Sequence, residues 1–188
     1  MAIKAIIFDF FGVICSDQYW NYVKADRQSA GTFREYAEEV NLGEMSWSDF
    51  VAKIAQATHT SVDEVKELYR SERINPRMAE WIADLHGRYK TGLITNAHHE
   101  FIDPLLKRSH LAKHLDSVVV SSRLGVIKPD PAIFEAALEE LGCAPEEVIF
   151  MDDLDRHVEA ARKVGIQAFR FDDFTRAKQR VDRLLNHT

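Results

Sequence analysis

The chain of 188 residues carries a formal net charge of −6, with 24 Lys and Arg residues against 30 Asp and Glu residues. This length holds one well-buried domain, or one domain with a small insertion, and excludes two large domains. Basic residues are scattered among acids, which argues against a nucleic-acid interface, and no apolar stretch approaches the roughly 20 residues of a membrane span. The first residues lack a charged leader and a cleavage site, so we expect a cytoplasmic protein that binds neither nucleic acid nor a membrane.

Five short runs rich in β-forming residues are predicted as strands, at residues 5–8, 92–95, 117–121, 148–151 and 167–171. Helical patterns separate the later runs, and this alternation predicts a parallel sheet with helices on both faces, a three-layer α/β/α core. Asn75 before Pro76 and Asp130 before Pro131 have the form of a helix N-cap followed by a first-turn proline. Right-handed crossovers place the second and third strands on one side of the first, which predicts the strand order 5-4-1-2-3.

The stretch of residues 16–73 departs from this alternation, because its apolar spacing indicates successive helices without a strand between them. The segments SWSD, starting at Ser46, and SVDE, starting at Ser61, both have the form of a capping box. We therefore predict a core domain of residues 1–15 and 74–188 with a small helical cap inserted after the first strand. Open α/β sheets bind ligands at the carboxyl ends of their strands, so a cap in this place could enclose a site.

Three of the predicted strands end in polar side chains, which a buried core alone would not require. They are Asp9 after the first strand, Thr95 and Asn96 at the end of the second, and Asp152 with Asp153 at the end of the fourth, while Lys128 stands between the third strand and the next helix. A central first strand would bring these groups into one crevice. Three carboxylates there would repel each other unless a divalent cation neutralised them, and oxygen ligands beside a phosphate suit Mg²⁺.

Four segments carry a family resemblance: IIFDFFGVI at residues 6–14, LITNA at 93–97, GVIKPDPAIF at 125–134, and VIFMDDLDRHVEAARKVG at 148–165. In this order and spacing they resemble the four motifs of the haloacid dehalogenase (HAD) superfamily of phosphohydrolases, over residues 3 to 171. The resemblance implies a Rossmann-like HAD core with a small helical cap, the arrangement of subfamily I.

The resemblance also implies an activity, a magnesium-dependent phosphatase that acts on a small phosphorylated metabolite through an aspartyl-phosphate. Asp9 would be the nucleophile, and Thr95, Asn96 and Lys128 would hold the phosphoryl group. The implied metal ligands are Asp9, the backbone carbonyl of Phe11, Asp152 and Asp153. The identity of the metabolite and the oligomeric state stay open.

Phe11 departs from the family pattern, in which most phosphatases have an Asp two positions after the nucleophile as general acid and base. Phenylalanine cannot transfer a proton, and general acid–base catalysis is typically worth ~10² to 10⁴ in rate. We therefore expect metal binding to persist and phosphatase activity to be weak or selective. Asp17, His99 and His157 are candidates for a substitute proton donor.

Two alternatives to the phosphatase follow from the same residue. The dehalogenase branch of the superfamily has an aromatic Tyr at the position of Phe11, because expelling halide from carbon needs no proton donor. Those enzymes work without a metal, whereas the pair Asp152 and Asp153 resembles the metal-dependent form. The other alternative is a descendant without catalytic activity that binds a phosphorylated ligand or a partner protein.

Two histidine pairs, His98 with His99 and His110 with His114, raise the question of a zinc site. We assign no third ligand to either pair, and neither has an HExxH pattern. We therefore expect these histidines to be solvated side chains on the surface.

Overall fold

The structure is a computed structural model and describes residues 2–15 and 27–186. Its sheet consists of β1 (Ala5–Phe8), β2 (Lys90–Thr95), β3 (Ser117–Val120), β4 (Val148–Asp152) and β5 (Gln167–Arg170). All neighbouring strands are parallel, in the order β3-β2-β1-β4-β5. The predicted strand order and the three-layer α/β/α core are confirmed, and the predicted strand limits are right to within two residues.

The helices are α1 (Arg27–Leu42), α2 (Trp47–Thr58), α3 (Val62–Ser71), α4 (Pro76–His86), α5 (His99–Arg108), α6 (Ser121–Leu124), α7 (Pro131–Leu141), α8 (Asp155–Val164) and α9 (Phe174–Asn186). Both predicted N-caps before a proline are confirmed, because Asn75 accepts a hydrogen bond from the backbone of Arg77 and Asp130 accepts one from the backbone of Ala132. No helix in the described ranges combines the length and the apolar composition of a membrane span.

Strand β1 lies at the centre of the sheet and is fully buried on both faces. Its side chains alternate between two apolar clusters, as a strand period of two requires. Ile6 and Phe8 belong to a cluster that also includes residues of α2, α4, α5 and α9. Ala5 and Ile7 belong to a second cluster with residues of α7 and α8. Packing on both faces of the sheet therefore holds β1 in place, and this fixes the position of the residue that follows its carboxyl end.

The segment between β1 and α4 leaves and rejoins the core at neighbouring points. Cys15 forms an isolated antiparallel bridge with Ile74, and the backbone N–H of Asn75 donates to the carbonyl of Ile14 at 2.9 Å. Within the described residues this segment forms α1, α2 and α3 without a strand, as predicted, and residues 16–26 lie outside the description. Its role as a separate cap domain of residues 16–73 stays a prediction.

The helix starts of the inserted segment follow the capping signals of the sequence. At α3 the capping box is complete, with Ser61 accepting from the backbone of Glu64 and the Glu64 carboxylate accepting from the backbone of Ser61. At α2, Ser46 accepts from the backbone of Asp49, and the Asp49 carboxylate accepts from the hydroxyl of Ser46 rather than from its backbone. Local sequence therefore determines where both helices begin.

Candidate active site

Asp9 directly follows β1, at the edge of the sheet where the carboxyl ends of the parallel strands meet. Its backbone N–H donates to the carbonyl of Met151 at 2.9 Å, which extends the pairing of β1 with β4 by one residue. The residue is only 6% exposed, and the backbone N–H of Phe10 donates to its Oδ1 at 2.6 Å. The sheet thus holds a carboxylate in a fixed place with little access to water.

Lys128 connects the ends of three strands. Its Nζ lies 2.6 Å from Oδ1 of Asp9 and 2.7 Å from Oδ2 of Asp152, and it donates to the carbonyl of Ile94 at 3.2 Å. Lys128 as a whole is 2% exposed, and Asp152 is fully buried. The structure therefore brings Asp9, Lys128 and Asp152 together in one buried cluster, and their predicted roles stay predictions.

Asn96 holds the backbone of Lys128. Its Nδ2 donates to the Lys128 carbonyl at 2.9 Å, and its Oδ1 accepts from the Lys128 N–H at 2.7 Å. The peptide bond from Lys128 to Pro129 is cis. In this structure the side chain of Asn96 therefore orients the lysine, and the predicted contact of Asn96 with a phosphoryl group stays a prediction.

His157, which was predicted from the sequence only as a candidate proton donor, is a partner of Asp152 in the structure. Its Nδ1 lies 3.0 Å from both carboxylate oxygens of Asp152, and the backbone N–H of Leu154 donates to Oδ1 at 2.9 Å. The sequence feature that could have indicated this contact is the place of His157 in the first turn of the helix after β4, five residues beyond Asp152. With Lys128 on Oδ2, both oxygens of Asp152 have partners.

The buried charges shift one another's protonation. Burial, together with the nearby charge of Asp152, raises the pKa of Asp9 to about 8, against the opposing attraction of Lys128. Burial also opposes ionisation of Asp152, but the ammonium of Lys128 and the hydrogen bond with His157 hold the pKa of Asp152 well below its usual range. Burial opposes the charge of Lys128 as well, yet attraction by Asp9 and Asp152 raises the pKa of Lys128 above its ordinary value.

Asp153 lies against the loop that follows Asp9. A Cβ atom placed on Gly12, which has a φ of 76°, would be 2.8 Å from Oδ2 of Asp153. Burial raises the pKa of Asp153, and the charge of Asp152 adds to the shift. Glycine is required at position 12 both by its left-handed backbone and by this close approach.

The described residues contain a group of metal-ligand type at this edge, formed by Asp9, Asp152 and His157, whose ligand atoms lie within 4.8 Å of one another. Asp153 is outside that group and lies beside Gly12 instead. The backbone carbonyl of Phe11 as a metal ligand stays a prediction.

Thr95 ends β2 at the same edge of the sheet. Its side-chain oxygen is buried and has no hydrogen-bond partner among the residues that the structure describes. A buried hydroxyl without a partner costs free energy, so such a group in a crevice is a candidate contact for a ligand. This is the atom that the sequence analysis assigned to the phosphoryl group.

The three proposed substitute proton donors differ in their position. Asp17 lies outside the described residues. His157 is committed to Asp152, and His99 contacts Ser122, with its Nδ1 3.1 Å from the hydroxyl oxygen. The expectation of solvated histidines is wrong for His98, which is 5% exposed because it caps α5 and packs against aromatic rings.

The comparisons with known proteins comprise a family model, relatives of known name and solved structures. The family model of the haloacid dehalogenase-like hydrolases matches residues 3–165. The chain is 32% identical over 136 residues to acyl-CoA dehydrogenase family member 10 of Mus musculus, a match that covers 68% of this chain and 12% of the mouse protein. It is 30% identical to (S)-2-haloacid dehalogenase 4A of Burkholderia cepacia, over 57% of this chain and 47% of that protein. The chain thus spans less than half of the length of these relatives.

A third relative is matched over most of its length. The chain is 26% identical to a phosphorylated carbohydrates phosphatase of Thermotoga maritima, over 87% of this chain and 82% of the relative. As with the other two, the similarity concerns the sequence, and the activity in the name is that of the relative.

Solved structures share the fold. A HAD family enzyme of Bacteroides thetaiotaomicron superimposes with a TM-score of 0.78 at 18% identity, over 94% of this chain and 98% of that one. The L-2-haloacid dehalogenase of Xanthobacter autotrophicus superimposes with a TM-score of 0.69 at 21% identity, over 89% of this chain and 77% of that one. The sheet order, the position of Asp9 and the match over residues 3–165 lead to one conclusion: the chain belongs to the haloacid dehalogenase-like hydrolase family.

Proposed function

We propose that the protein is a Mg²⁺-dependent phosphatase that hydrolyses a small phosphomonoester through an aspartyl-phosphate on Asp9. The observation that carries the proposal is the buried cluster in which Lys128 bridges Asp9 and Asp152. Phosphoryl transfer needs a positioned nucleophile and fixed positive charge more than it needs covalent chemistry from the protein. A buried carboxylate beside a buried ammonium is an arrangement of that kind.

The charges of the site fit a bound divalent cation. Three carboxylates, those of Asp9, Asp152 and Asp153, share this edge of the sheet with a single described ammonium, that of Lys128, and burial raises the pKa of Asp9 and Asp153. Such a set favours a hard cation with oxygen ligands. Asp9, Asp152, Asp153 and the carbonyl of Phe11 are the groups that would hold it, and Mg²⁺ there would neutralise charge on the phosphoryl oxygens.

The residues of the chain supply the other steps. In the first step a carboxylate oxygen of Asp9 forms a bond to phosphorus while the bond from phosphorus to the ester oxygen breaks. Lys128 balances the negative charge, and the unpartnered hydroxyl of Thr95 is available to donate to a phosphoryl oxygen. Water then attacks the aspartyl-phosphate, which releases inorganic phosphate and restores Asp9. The departing alkoxide takes its proton from a donor other than Phe11.

The comparisons support this choice of reaction. The Thermotoga maritima relative that is matched over most of its length is a phosphatase. The Bacteroides thetaiotaomicron enzyme, which shares the fold, also has a structure in complex with magnesium and inorganic phosphate. The sequence contains two cysteines, Cys15 and Cys143, which are too few for a disulfide framework. We therefore propose that the activity is cytoplasmic, with a small phosphorylated molecule as the partner.

A second candidate, a 2-haloacid dehalogenase, is favoured by Phe11. An aromatic residue at this position suits a reaction in which a halide leaves carbon without a proton, and the Burkholderia cepacia relative is such an enzyme. The paired acids Asp152 and Asp153 make this candidate the weaker one, because displacement of halide by Asp9 does not call for a cation.

The deciding experiment measures phosphate release from a panel of phosphomonoesters and chloride release from 2-chloropropionate, each with Mg²⁺ and with a chelator. We expect phosphate release that requires Mg²⁺ and that disappears in Asp9→Asn. Chloride release without metal would establish the dehalogenase instead. Silence of the folded protein on every substrate would contradict both activities and favour a binding protein.

A further inference from the structure

Three aromatic rings form a stack beside the candidate active site. The ring of Phe101 lies nearly parallel to that of Phe11, with centroids 5.9 Å apart and an angle of 7° between the planes. Trp47 stacks on Phe101 at 5.6 Å and 23°, and on His98 at 6.0 Å and 22°. Trp47 belongs to α2 and Phe101 to α5, so the stack joins the inserted helices to the core.

These rings form part of the wall of a cavity of about 180 Å³ between the inserted helices and the loops after β1 and β2. Six of its lining residues are aromatic: Phe11, Phe33, Trp47, Phe50, Tyr69 and Phe101. An engineered apolar cavity of ~150 Å³ in another protein is large enough to bind benzene. The cavity therefore has room for one six-membered ring or an aliphatic group of similar size.

The cavity adjoins the candidate active site through two of its lining residues. Phe11 stands two positions after Asp9, and Asn96 holds both backbone polar groups of Lys128. A group bound in the cavity would therefore extend from the place where Asp9 and Lys128 meet a phosphoryl group.

The described lining contains no carboxylate, ammonium or guanidinium group. Its described titratable side chains are Tyr69 and His98, and burial lowers the pKa of His98, which favours the uncharged form of this ring. The polar side chains of this lining, which include Asn41 and His98, are outnumbered by aromatic and aliphatic ones. An apolar group would therefore gain free energy by leaving water, whereas most hydroxyls of a sugar would lose hydrogen bonds to water without equivalent partners.

We propose that this cavity binds the organic group of the substrate and that this group is apolar and about the size of one ring. The proposal rests on the phosphatase function proposed above and narrows its substrates to phosphomonoesters of arylalkyl or compact alkyl alcohols. Phosphorylated sugars are then poor substrates, in contrast to those named for the Thermotoga maritima relative. Phe11 then contributes to substrate binding, because it lines the cavity and stands two positions after Asp9.

The first test compares phosphates whose leaving alkoxides have similar basicity but differ in apolar size: ethyl, butyl and 2-phenylethyl phosphate, with glycerol 3-phosphate as the polar counterpart. Burial of each further methylene is worth ~0.8 kcal/mol, about fourfold. We expect kcat/KM for 2-phenylethyl phosphate to exceed that for ethyl phosphate by at least ~10-fold, and glycerol 3-phosphate to be no better than ethyl phosphate. Equal kcat/KM values across the series would overturn the proposal.

The second test removes part of the wall. Trp47→Ala is expected to reduce the ratio of kcat/KM for 2-phenylethyl phosphate over acetyl phosphate at least ~5-fold, since acetyl phosphate has little apolar surface to bury. Tyr36→Ala is the matched control: it removes an aromatic ring from α1 that packs against Lys53 and does not line the cavity. An unchanged ratio in a folded Trp47→Ala protein, or the same reduction in both variants, contradicts the assignment.

A binding measurement separates failure of the cavity from failure of the phosphatase. Calorimetry on the unmodified protein with benzylphosphonate and methylphosphonate requires no turnover and no variant. Tighter binding of benzylphosphonate supports the cavity even if no ester is hydrolysed, in which case only the phosphatase proposal fails. Hydrolysis of esters together with equal binding of the two phosphonates would reject the cavity and leave the phosphatase intact.

Discussion

The ring of Phe11 lies flat against that of Phe101, with their centroids 5.9 Å apart, and both rings line the aromatic cavity. Phe11 also packs edge-on against Phe10, whose centroid is 5.1 Å away. The side chain two positions after Asp9 is therefore a wall of the cavity, in a place where most family phosphatases have a proton-transferring acid. This relationship makes Phe11 the most informative position to change.

Replacing Phe11 by Asp should weaken the binding of apolar substrates and introduce a side chain that can transfer a proton. We expect kcat for ethyl phosphate to rise by up to ~10² to 10⁴, because a local acid can protonate the departing alkoxide. The KM for 2-phenylethyl phosphate should rise at the same time, because the cavity loses one of its rings. Steady-state rates at saturating Mg²⁺ for both substrates measure the two effects separately.

The control for this change is Phe11→Asn, which has nearly the same shape as Phe11→Asp but cannot give a proton. It should raise the KM for 2-phenylethyl phosphate without raising kcat for ethyl phosphate. In the unmodified protein, aryl phosphates should react faster than alkyl phosphates, because aryl oxides are less basic leaving groups. Equal rates for aryl and alkyl phosphates would mean that another residue already supplies the proton.

Mg²⁺ should stabilise the folded protein even in the absence of substrate. A ligand at a hundredfold excess over its Kd adds ~2.7 kcal/mol to the free energy of unfolding, which is roughly 5–10 °C in Tm for a chain of this size. Asp153→Asn should remove most of this shift, since Asp153 lies against the loop after Asp9 and has a raised pKa from burial. Thermal unfolding with Mg²⁺ and with a chelator measures it.

Asp155→Asn is the matched control for the metal prediction. Asp155 is close to Asp153 in sequence, but it is exposed and pairs with Arg170 at a distance of 3.1 Å. This variant should keep the full Mg²⁺ shift. If Asp153→Asn and Asp155→Asn respond alike to Mg²⁺, Asp153 is not a metal ligand.

Lys128→Met should destabilise the metal-free protein by about 3–5 kcal/mol, the usual cost of leaving a buried charge without its partner. The lysine is 2% exposed and lies within 2.7 Å of carboxylate oxygens of both Asp9 and Asp152. Urea unfolding in the presence of a chelator gives the free energy of unfolding, and phosphate release should be lost in parallel.

A surface lysine calibrates that measurement. Lys178 pairs with Asp182 at 2.9 Å on α9, where both side chains are about half exposed, so Lys178→Met should change the free energy of unfolding by less than ~1 kcal/mol. If Lys128→Met were no more destabilising than Lys178→Met, the two buried carboxylates would not depend on the lysine for their stability.

The fold could be predicted because its signals are local. Each strand is a short apolar run, the residues Asn75 and Asp130 mark helix starts, and Ser61 with Glu64 forms a capping box that the structure contains. The handedness of crossovers then leaves few possible strand orders. Asp9, Thr95 and Asp152 could be located for the same reason, since each is attached to the end of a predicted strand.

The remainder of the site depends on contacts between residues far apart in sequence. The sequence around Asn96 does not indicate that its amide holds the backbone of Lys128. An aromatic residue in a helix, such as Trp47, is as typical of a buried core as of a cavity wall. The cavity exists because α1, α2 and α3 meet α5 and the loop of Phe11, and such packing has no signature in a short segment. For the same reason the buried position of His98 was missed.

The inserted helices should move relative to the sheet, since a substrate must enter a cavity whose wall joins α2 and α3 to α5. The contacts that must open include those of Trp47 and Tyr69 with Phe101, and the hydrogen bond from the hydroxyl of Ser121 to the carbonyl of Asn41 at 2.6 Å. We expect amides of α1–α3 to exchange hydrogen faster than those of β1 and β4, and to slow when a phosphate analogue and Mg²⁺ are bound.

Two glycine substitutions test the prediction that helices α1–α3 move relative to the sheet. Gly43 has a φ of 77°, and a Cβ there would collide with the backbone carbonyl of Ser122, so Gly43→Ala should favour the open position and speed exchange in α1 and α2. Gly31→Ala is the control, because a Cβ at Gly31 meets none of the described residues within 4 Å. Hydrogen exchange read by mass spectrometry should separate the two variants. Helices α1–α3 that are as protected as the sheet, and that respond neither to the ligands nor to Gly43→Ala, would show that the segment is a fixed part of the core.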